Sequence, residues 1–392
     1  MQPAPLRPDV KNAPLRTRLL IPLLRLLRFP ALPARPKTGK WYRITPAGTV
    51  SANGDVYHGS VRIGSENKLI IMFHGGGVSW NEHMAAHPAS IYRKPTKPDF
   101  YASESDLIAD LATKHGIGSR TKDNPFRNWS MISLSYSSGD FHTGTADFPY
   151  TDSDGTQRVL HHHGYINYRA VMREAMEHVG CSPDQIVVTG FSAGGFGAAL
   201  LTDDIMGQFP DCRDITCCVD GGFMLYDGWH TAAKEVWGAP PEITARIHSD
   251  NITLDALQAL DRDHRDRARI LFVSSTRDYA LAEYWTYVES GEMHADRETG
   301  DAFQRDLLRM CRQLRDTIPG VGIFIYDTPV SPRLKEQAAA GLTQHCIIHT
   351  GRAEKVTIEG RTPLDWLWDA VSGRPSTVGL SLLEVDPSAI QP

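Results

Sequence analysis

The sequence predicts an α/β protein with a mostly parallel central sheet, helices on both faces and a helical insertion near the functional site. The first observation is a series of short apolar runs typical of buried strands, at residues 68–73, 131–136, 185–189, 215–219, 269–275 and 321–326. The second is a set of helical patterns between these runs, at residues 165–179, 193–201 and 301–317. Strands that alternate with helices favour parallel pairing through helical crossovers. The third is a stretch rich in tryptophan and proline, residues 223–265, which predicts helices that cover the site.

One domain is expected for most of the chain. Residues 39–392 are assigned to a single domain because one α/β sheet with insertions can absorb this length. The composition, 41% hydrophobic and 22% charged, is typical of a globular protein with a large core. The formal net charge of −5 gives no indication of a nucleic-acid partner.

Residues 1–38 form a separate arm rich in proline and arginine. The apolar segment within residues 16–29 is interrupted by Pro22, Arg25 and Arg28, so it is too short and too charged to span a bilayer or to resemble a signal peptide. Two interpretations stay open. The arm packs on the protein's own surface or on a neighbouring subunit, or it forms an interfacial helix that makes peripheral membrane contact. The sequence does not give the oligomeric state.

The cysteines predict a reducing compartment. The chain has six cysteines without the paired CxxC spacing of zinc or redox sites. Cys217 and Cys218 are adjacent within an apolar run, which favours buried free thiols over disulfides. A cytoplasmic protein is therefore expected.

The motif Gly-x-Ser-x-Gly at residues 190–194 predicts a nucleophile. It follows a strand and precedes a helix rich in small residues. A sharp turn from strand to helix lifts the central side chain out of the backbone, and the glycines fit where the crowded turn has no room for side chains. Ser192 is therefore the candidate nucleophile.

A glycine-rich loop follows the strand at residues 68–73. Consecutive glycines let backbone N–H groups approach a ligand closely, and in serine hydrolases such a loop donates to the oxyanion together with the residue after the nucleophile. This reasoning assigns the oxyanion hole to the loop Gly75-Gly76-Gly77 together with Ala193, the residue after Ser192.

A serine nucleophile needs a histidine base, and the histidine needs a carboxylate that fixes its tautomer. The expected chain order is serine, acid, histidine, with the acid after a later strand. Asp278 fits this place, and Asp220, which ends an earlier strand, is the rival. His345 follows the last strand by a polar loop and is the candidate base, with His349 and His230 as alternatives.

Other polar and aromatic residues are candidates for substrate binding. Asp140 and His142 lie in a loop at the predicted carboxyl edge of the sheet, where they either line the site or fix the loop by hydrogen bonds. Trp80 ends the glycine loop and Phe191 precedes the nucleophile. The tract at residues 161–163 is three histidines, but consecutive side chains cannot all face one ion, so neither a metal nor a cofactor is expected.

Several motifs together resemble the pectin acetylesterase family, which includes Notum-like carboxylesterases. They are Phe73-His74-Gly75-Gly76-Gly77-Val78-Ser79-Trp80, Asn124-Pro125-Phe126-Arg127-Asn128-Trp129, Ser135-Tyr136-Ser137-Ser138-Gly139-Asp140, His163-Gly164-Tyr165 and Gly190-Phe191-Ser192-Ala193-Gly194-Gly195. The resemblance implies an α/β-hydrolase-like fold and hydrolysis of a carboxylic ester. Residue by residue, it implies the nucleophile Ser192, the acid Asp278, the base His345 and the oxyanion donors Gly76, Gly77 and Ala193.

The chain also departs from the family pattern. Ser79 and Ser137 stand where secreted members have cysteines, which supports the expectation of a cytoplasmic protein and argues against pectin as the substrate. His74 replaces a glutamate, and Phe191 replaces a small residue beside the nucleophile. The expected activity is hydrolysis of a small-molecule, glycan or lipid O-acyl ester through an acyl-enzyme. The alternatives are an acyltransferase with the same triad and a catalytically inactive protein of the hydrolase fold that serves in binding.

Overall fold

The computed structural model describes residues 28–90, 98–104, 107–180 and 182–385. The strands are β1 (Trp41–Ile44), β2 (Gly59–Arg62), β3 (Lys68–Phe73), β4 (Pro88–Ala89), β5 (Tyr101–Ala102), β6 (Ser130–Leu134), β7 (Ala146–Thr151), β8 (Gln157–His162), β9 (Gln185–Phe191), β10 (Ile215–Asp220), β11 (Ala268–Ser275), β12 (Gly322–Tyr326) and β13 (Thr377–Val378). The helices are α1 (Glu82–Ala85), α2 (Leu107–Ala112), α3 (Gly164–Val179), α4 (Ala193–Gln208), α5 (Trp229–Thr231), α6 (Pro241–Thr244), α7 (Ile252–His264), α8 (Tyr279–Ser290), α9 (Arg297–Thr317), α10 (Lys335–Ala339) and α11 (Pro363–Val371).

Nine of the described strands form one sheet in the order β1-β2-β6-β3-β9-β10-β11-β12-β13. The pairs β1–β2 and β2–β6 are antiparallel, and every other neighbouring pair is parallel. Two small sheets lie outside it: β4 with β5, and the hairpin of β7 with β8. The predicted mostly parallel sheet is confirmed.

The central strands are buried on both faces, which explains their nearly continuous apolar runs. In β3, the side chains of Leu69, Ile71 and Phe73 enter one core cluster, and those of Ile70 and Met72 enter the other. Successive side chains of a strand point to opposite faces. This one short strand therefore contributes side chains to the core on both faces of the sheet.

Helices cover both faces, as predicted. On one face α3, α4, α7 and α9 contribute to the larger core cluster. On the other face α11 and the short 3₁₀ turn Gly116–Gly118 pack on the sheet. Helix α4 is buried along most of its length, which fits its apolar and glycine-rich sequence.

The predicted insertion at residues 223–265 is helical, with α5, a π-helical turn at Ala232–Val236, α6 and α7. Its position differs from the expectation. Trp229 and Tyr226 pack on Trp80, at ring-centroid distances of 5.5 and 4.9 Å, and the insertion contributes no residue to the cleft described below. The insertion therefore packs on Trp80 at the end of the glycine loop instead of covering the site.

The predicted arm at residues 1–38 is described only from residue 28. There Phe29 is buried and stacks on Trp41 with ring centroids 5.4 Å apart, and the amide of Leu32 donates to the carbonyl of Arg43. The proposed membrane contact through residues 16–29 otherwise lies outside the described residues. None of the helices in the described ranges combines the length with the hydrophobicity that a transmembrane helix requires.

Candidate active site

Ser192 stands at a sharp turn between β9 and α4. Its backbone angles are φ 56° and ψ −129°, an uncommon conformation that costs about 1–3 kcal/mol for a residue with a side chain. The amide of Ser192 donates to the carbonyl of Asp220 over 2.9 Å. At Gly194 an added Cβ would lie 2.0 Å from the carbonyl oxygen of Phe73, so only glycine fits there. The motif therefore forms the elbow that its sequence predicts.

The loop after β12 brings His345 to Asp278. Nδ1 of His345 lies 2.7 Å from Oδ2 of Asp278, which is fully buried three residues after the end of β11. The other carboxylate oxygen, Oδ1, accepts the amides of Ala280 and Leu281 and so caps α8. One carboxylate thus fixes both the imidazole and the first turn of the neighbouring helix.

The charge of Asp278 also changes the proton affinity of the imidazole. Burial alone would lower the pKa of His345, but the Asp278 carboxylate outweighs it and raises the pKa above its usual value, with a smaller contribution from Asp220. An imidazole in this environment holds a proton more tightly than in water.

Nε2 of His345 is the ring nitrogen that does not contact Asp278. It lies 3.4 Å from the thiol of Cys346, and among the described residues no hydrogen bond joins it to the hydroxyl of Ser192. Catalytic hydrogen bonds are often long before substrate binds and tighten in the complex, so we expect this bond to form when an ester occupies the cleft. Burial raises the pKa of the Cys346 thiol well above its usual value, so the thiol stays protonated and does not compete as a nucleophile.

Asp220, the rival acid, has a different role in the structure. Its Oδ2 accepts the amides of Ile347 and Ile348, each over 2.8 Å, just after His345. Its own carbonyl accepts the amide of Ser192. Burial raises the pKa of the Asp220 carboxyl to about 7. This residue therefore ties the nucleophile elbow and the histidine loop together, and sequence reasoning missed that connection.

Replacing Asp220 with alanine should weaken the connection between the nucleophile elbow and the histidine loop. We expect D220A to lose about 1–3 kcal/mol of unfolding free energy, since two buried amides lose their acceptor. We also expect about 100-fold lower kcat, because small misplacement of a catalytic group is costly. D220N keeps an acceptor oxygen, so it should retain more of the unfolding free energy and more of kcat than D220A does. Urea unfolding and esterase kinetics measure this, with D211A at an exposed site as the control. Wild-type stability and kcat in D220A would contradict the role.

The glycine loop lies beside the nucleophile. Among the described residues, the amides of Gly76, Gly77 and Ala193 have no hydrogen-bond acceptor. At Gly77, φ is +77° and an added Cβ would lie 1.9 Å from the carbonyl oxygen of Phe100, so no other residue fits without a shift of the backbone. These three backbone amides are therefore available as hydrogen-bond donors at the edge of the site.

A cleft of about 450 Å³ joins these groups. Ser192, His345 and Cys346 lie on its floor with Phe191 and the glycine loop. Sequence reasoning missed most of its walls, which come from β4, from the segment around β5, from α8 and from the loop after α8. They are Ala89, Asp99, Phe100, Tyr101, Ala102, Tyr279, Ala280, Glu283, Tyr284 and Met293. The cleft thus combines apolar and aromatic walls with a few polar groups, as ligand sites commonly do.

Three of the four predicted substrate-binding residues lie outside this cleft. Trp80 is buried in the aromatic cluster beneath the insertion. Asp140 is fully buried and accepts hydrogen bonds from Ser138, His142, Gly144 and Gly164, so it fixes its loop. His142 is also buried, with Nε2 2.9 Å from the carbonyl oxygen of His74. The interpretation of these three as substrate-binding residues is corrected: they support the glycine loop.

Phe191 does line the cleft, and it stacks on His349 with ring centroids 3.5 Å apart. Burial lowers the pKa of His349 well below its usual value, and this histidine has no carboxylate beside it among its described hydrogen-bond partners. His230, the other alternative base, is exposed on α5. The structure therefore pairs only His345 of the three candidates with an acid.

Residues 54–236 match the family model described as Pectinacetylesterase. Curated relatives include pectin acetylesterase 5 of Arabidopsis thaliana, 25% identical over 45% of this chain, and pectin acetylesterase 11 of the same plant, 27% identical over 46%. These alignments span 38% and 44% of the two relatives, so the chain matches less than half of their length. The matched region includes the glycine loop and the serine elbow.

A solved structure of the Wnt deacylase Notum from Drosophila superposes with a TM-score of 0.56. The match covers 85% of this chain and 93% of that structure, with 15% sequence identity. At this identity the likeness concerns the fold. It confirms the predicted α/β-hydrolase-like architecture.

The expectation of a cytoplasmic protein is wrong. The pectin acetylesterases and Notum, to which this chain is similar, are secreted enzymes. Five cysteines are free and buried among the described residues, and serine stands at positions 79 and 137. These features do not identify a compartment, because a chain with a core of this size does not depend on disulfides as small secreted domains do.

The family match, the curated relatives and the fold agree with the motifs that carried the resemblance in the sequence. Residues 54–236 are therefore similar to the pectin acetylesterase family, and the structure has the α/β-hydrolase-like fold that it shares with Notum.

Proposed function

We propose that this protein is a serine carboxylic-ester hydrolase that acts on an O-acyl ester through an acyl-enzyme. The observation that carries the proposal is the pair of His345 and the buried Asp278, 2.7 Å apart, in the same cleft as a serine on a strained elbow. The relatives named above, pectin acetylesterases and a Wnt deacylase, support removal of an acyl group.

In the first half-reaction, the hydroxyl oxygen of Ser192 attacks the ester carbonyl while Nε2 of His345 takes its proton. The amides of Gly76, Gly77 and Ala193 donate to the oxygen that becomes negatively charged. The alcohol then leaves with the proton from His345, and the acyl group remains on the serine.

In the second half-reaction, His345 takes a proton from water and the resulting nucleophile attacks the acyl-enzyme. The carboxylic acid leaves, and the proton returns to the serine oxygen. Asp278 keeps the tautomer with Nδ1 protonated and stabilises the imidazolium in both steps.

Hydrolysis of a short p-nitrophenyl ester, with and without an acceptor alcohol, tests the proposal. We expect release of free acid at a rate that depends on Ser192. Transfer of the acyl group to the alcohol as the main product would indicate an acyltransferase. Absence of turnover and of acyl-enzyme with a chain-length series of esters would contradict the proposal.

The glycine loop gives an independent prediction. Replacing Gly77 with alanine forces the loop to move, because Cβ would collide with the carbonyl oxygen of Phe100. If the loop supplies oxyanion donors, kcat should fall by about 10²–10³-fold. The control is Gly207→Ala, where an added Cβ meets open space in α4 and stability should rise slightly. Equal esterase kinetics in both variants would exclude the oxyanion role of this loop.

A further inference from the structure

Two of the three consecutive histidines meet a carboxylate on the β7–β8 hairpin. Asp147 on β7 is paired in register with His161 on β8. Oδ1 of Asp147 lies 2.6 Å from Nδ1 of His161 and 2.9 Å from Nε2 of His163. The three ligand atoms all lie within 4.8 Å of one another.

The alternation of side chains along the chain explains how this cluster forms. His161 and His163 are two residues apart and reach the same side of the hairpin, with ring centroids 5.3 Å apart. His162 points the other way and is buried, with Nδ1 2.7 Å from the carbonyl oxygen of Ser138. The three consecutive histidines therefore do not converge on one point, but two of them converge on Asp147, which the sequence pattern does not indicate.

We propose that Asp147, His161 and His163 bind a divalent transition-metal ion of the Zn²⁺ class. Two imidazoles and one carboxylate are ligands that zinc accepts in protein sites with an open position. Metal–ligand bonds of about 2.0–2.2 Å in tetrahedral geometry place the ligand atoms roughly 3.3–3.5 Å apart. The ion would therefore enter after the two nitrogens move away from the carboxylate oxygen by less than about 1 Å.

The exposure of the cluster fits an ion with water in the remaining position. The side chain of Asp147 is 58% exposed, and each histidine side chain is 19% exposed. The imidazoles are thus held by their surroundings, while the carboxylate is open to solvent. The backbone of His161 is also fixed, since its amide donates to the carbonyl of Ala52 over 3.0 Å.

The ion would join β7 to the point where β8 passes into α3. His163 precedes Gly164, the first residue of α3, and the amide of Gly164 donates to the buried Asp140. Asp140 in turn fixes His142, which contacts the carbonyl of His74 at the glycine loop. The proposed ion would thus stabilise the segment that supports this loop. Its binding does not depend on the proposed esterase activity.

Titration of the metal-free full-length chain with ZnCl₂ by calorimetry tests the site. We expect the wild type to bind one equivalent of Zn²⁺. Each of D147N, H161Q and H163Q should lose this equivalent or bind it at least about 10-fold more weakly. Two matched controls should bind as the wild type does: D154N in the turn of the same hairpin and H230Q at an exposed histidine. Zn²⁺ should also raise the melting temperature of the wild type and the controls more than that of D147N.

These comparisons separate a built site from an ordinary ion pair. If the wild type and the three cluster variants bind Zn²⁺ with the same stoichiometry and affinity, the ion is adventitious and the proposal is overturned. It is equally overturned if the wild type binds no stoichiometric Zn²⁺, because the cluster would then be a histidine–aspartate pairing that stabilises the hairpin.

Discussion

Replacement of Ser192 by alanine is expected to lower kcat for ester hydrolysis by about 10⁵–10⁶-fold, because no other hydroxyl stands on the elbow next to His345. Binding of the ester should change much less, since the cleft walls are untouched. The fold should also persist, because the hydrogen bond from the backbone amide of residue 192 to Asp220 does not involve the side chain. Steady-state kinetics with a p-nitrophenyl ester and a thermal melt measure both effects.

The matched control for this variant is Ser182→Ala, at an exposed serine before β9. It should hydrolyse the ester at the wild-type rate. Retention of more than about 1% of wild-type kcat in S192A, after contaminating esterases are excluded, would show that another group is the nucleophile.

Replacement of Asp278 by asparagine is expected to lower kcat by about 10⁴-fold, because the amide holds the wrong tautomer of the imidazole. The cap of α8 should survive, since an asparagine oxygen can still accept the amides of Ala280 and Leu281. Loss of activity without loss of the fold would therefore locate the effect at His345.

The same variant should shift the pH profile. In the wild type, Asp278 raises the pKa of His345, so the free base forms and kcat/KM rises only as pH increases through a value above 6.5. Without the carboxylate this rise should move to lower pH. The link to stability has the same sign: the charged pair stabilises the fold at pH below 6.5, and this contribution is lost as pH rises through the raised pKa.

Asp296→Asn is the control for both effects, because Asp296 also caps a helix, α9, by accepting the amide of Thr299. It should leave the rate and the pH profile unchanged. A D278N enzyme within tenfold of wild-type kcat, or one with an unshifted profile, would remove Asp278 from the proposed mechanism.

The sheet could be predicted from sequence because its strands are buried on both faces. Runs such as residues 68–73 and 185–189 are apolar throughout, and their β-branched residues separate them from the helical patterns between them. The strands β4, β5 and β13 were not predicted, since two-residue strands carry no periodicity. The hairpin β7–β8 was also missed, because only three of its twelve positions are buried and its register depends on pairing.

The site could be predicted only in part. Local geometry is encoded near Ser192 and the glycine loop, where close backbone contacts require glycine. The direction of a side chain in a loop is decided by tertiary packing, which is why Asp140 and His142 turned inward. The role of Asp220 could not be read from sequence either, because the amides that donate to its carboxylate lie 127 and 128 residues away along the chain.

The most direct measurement is covalent labelling of the full-length protein with a fluorophosphonate, followed by peptide mass spectrometry. The proposed site predicts one adduct per chain on Ser192, no adduct in S192A and much slower labelling in D278N. An adduct on a different residue, or no adduct on a folded protein, would contradict the assignment of this cleft as a serine esterase site.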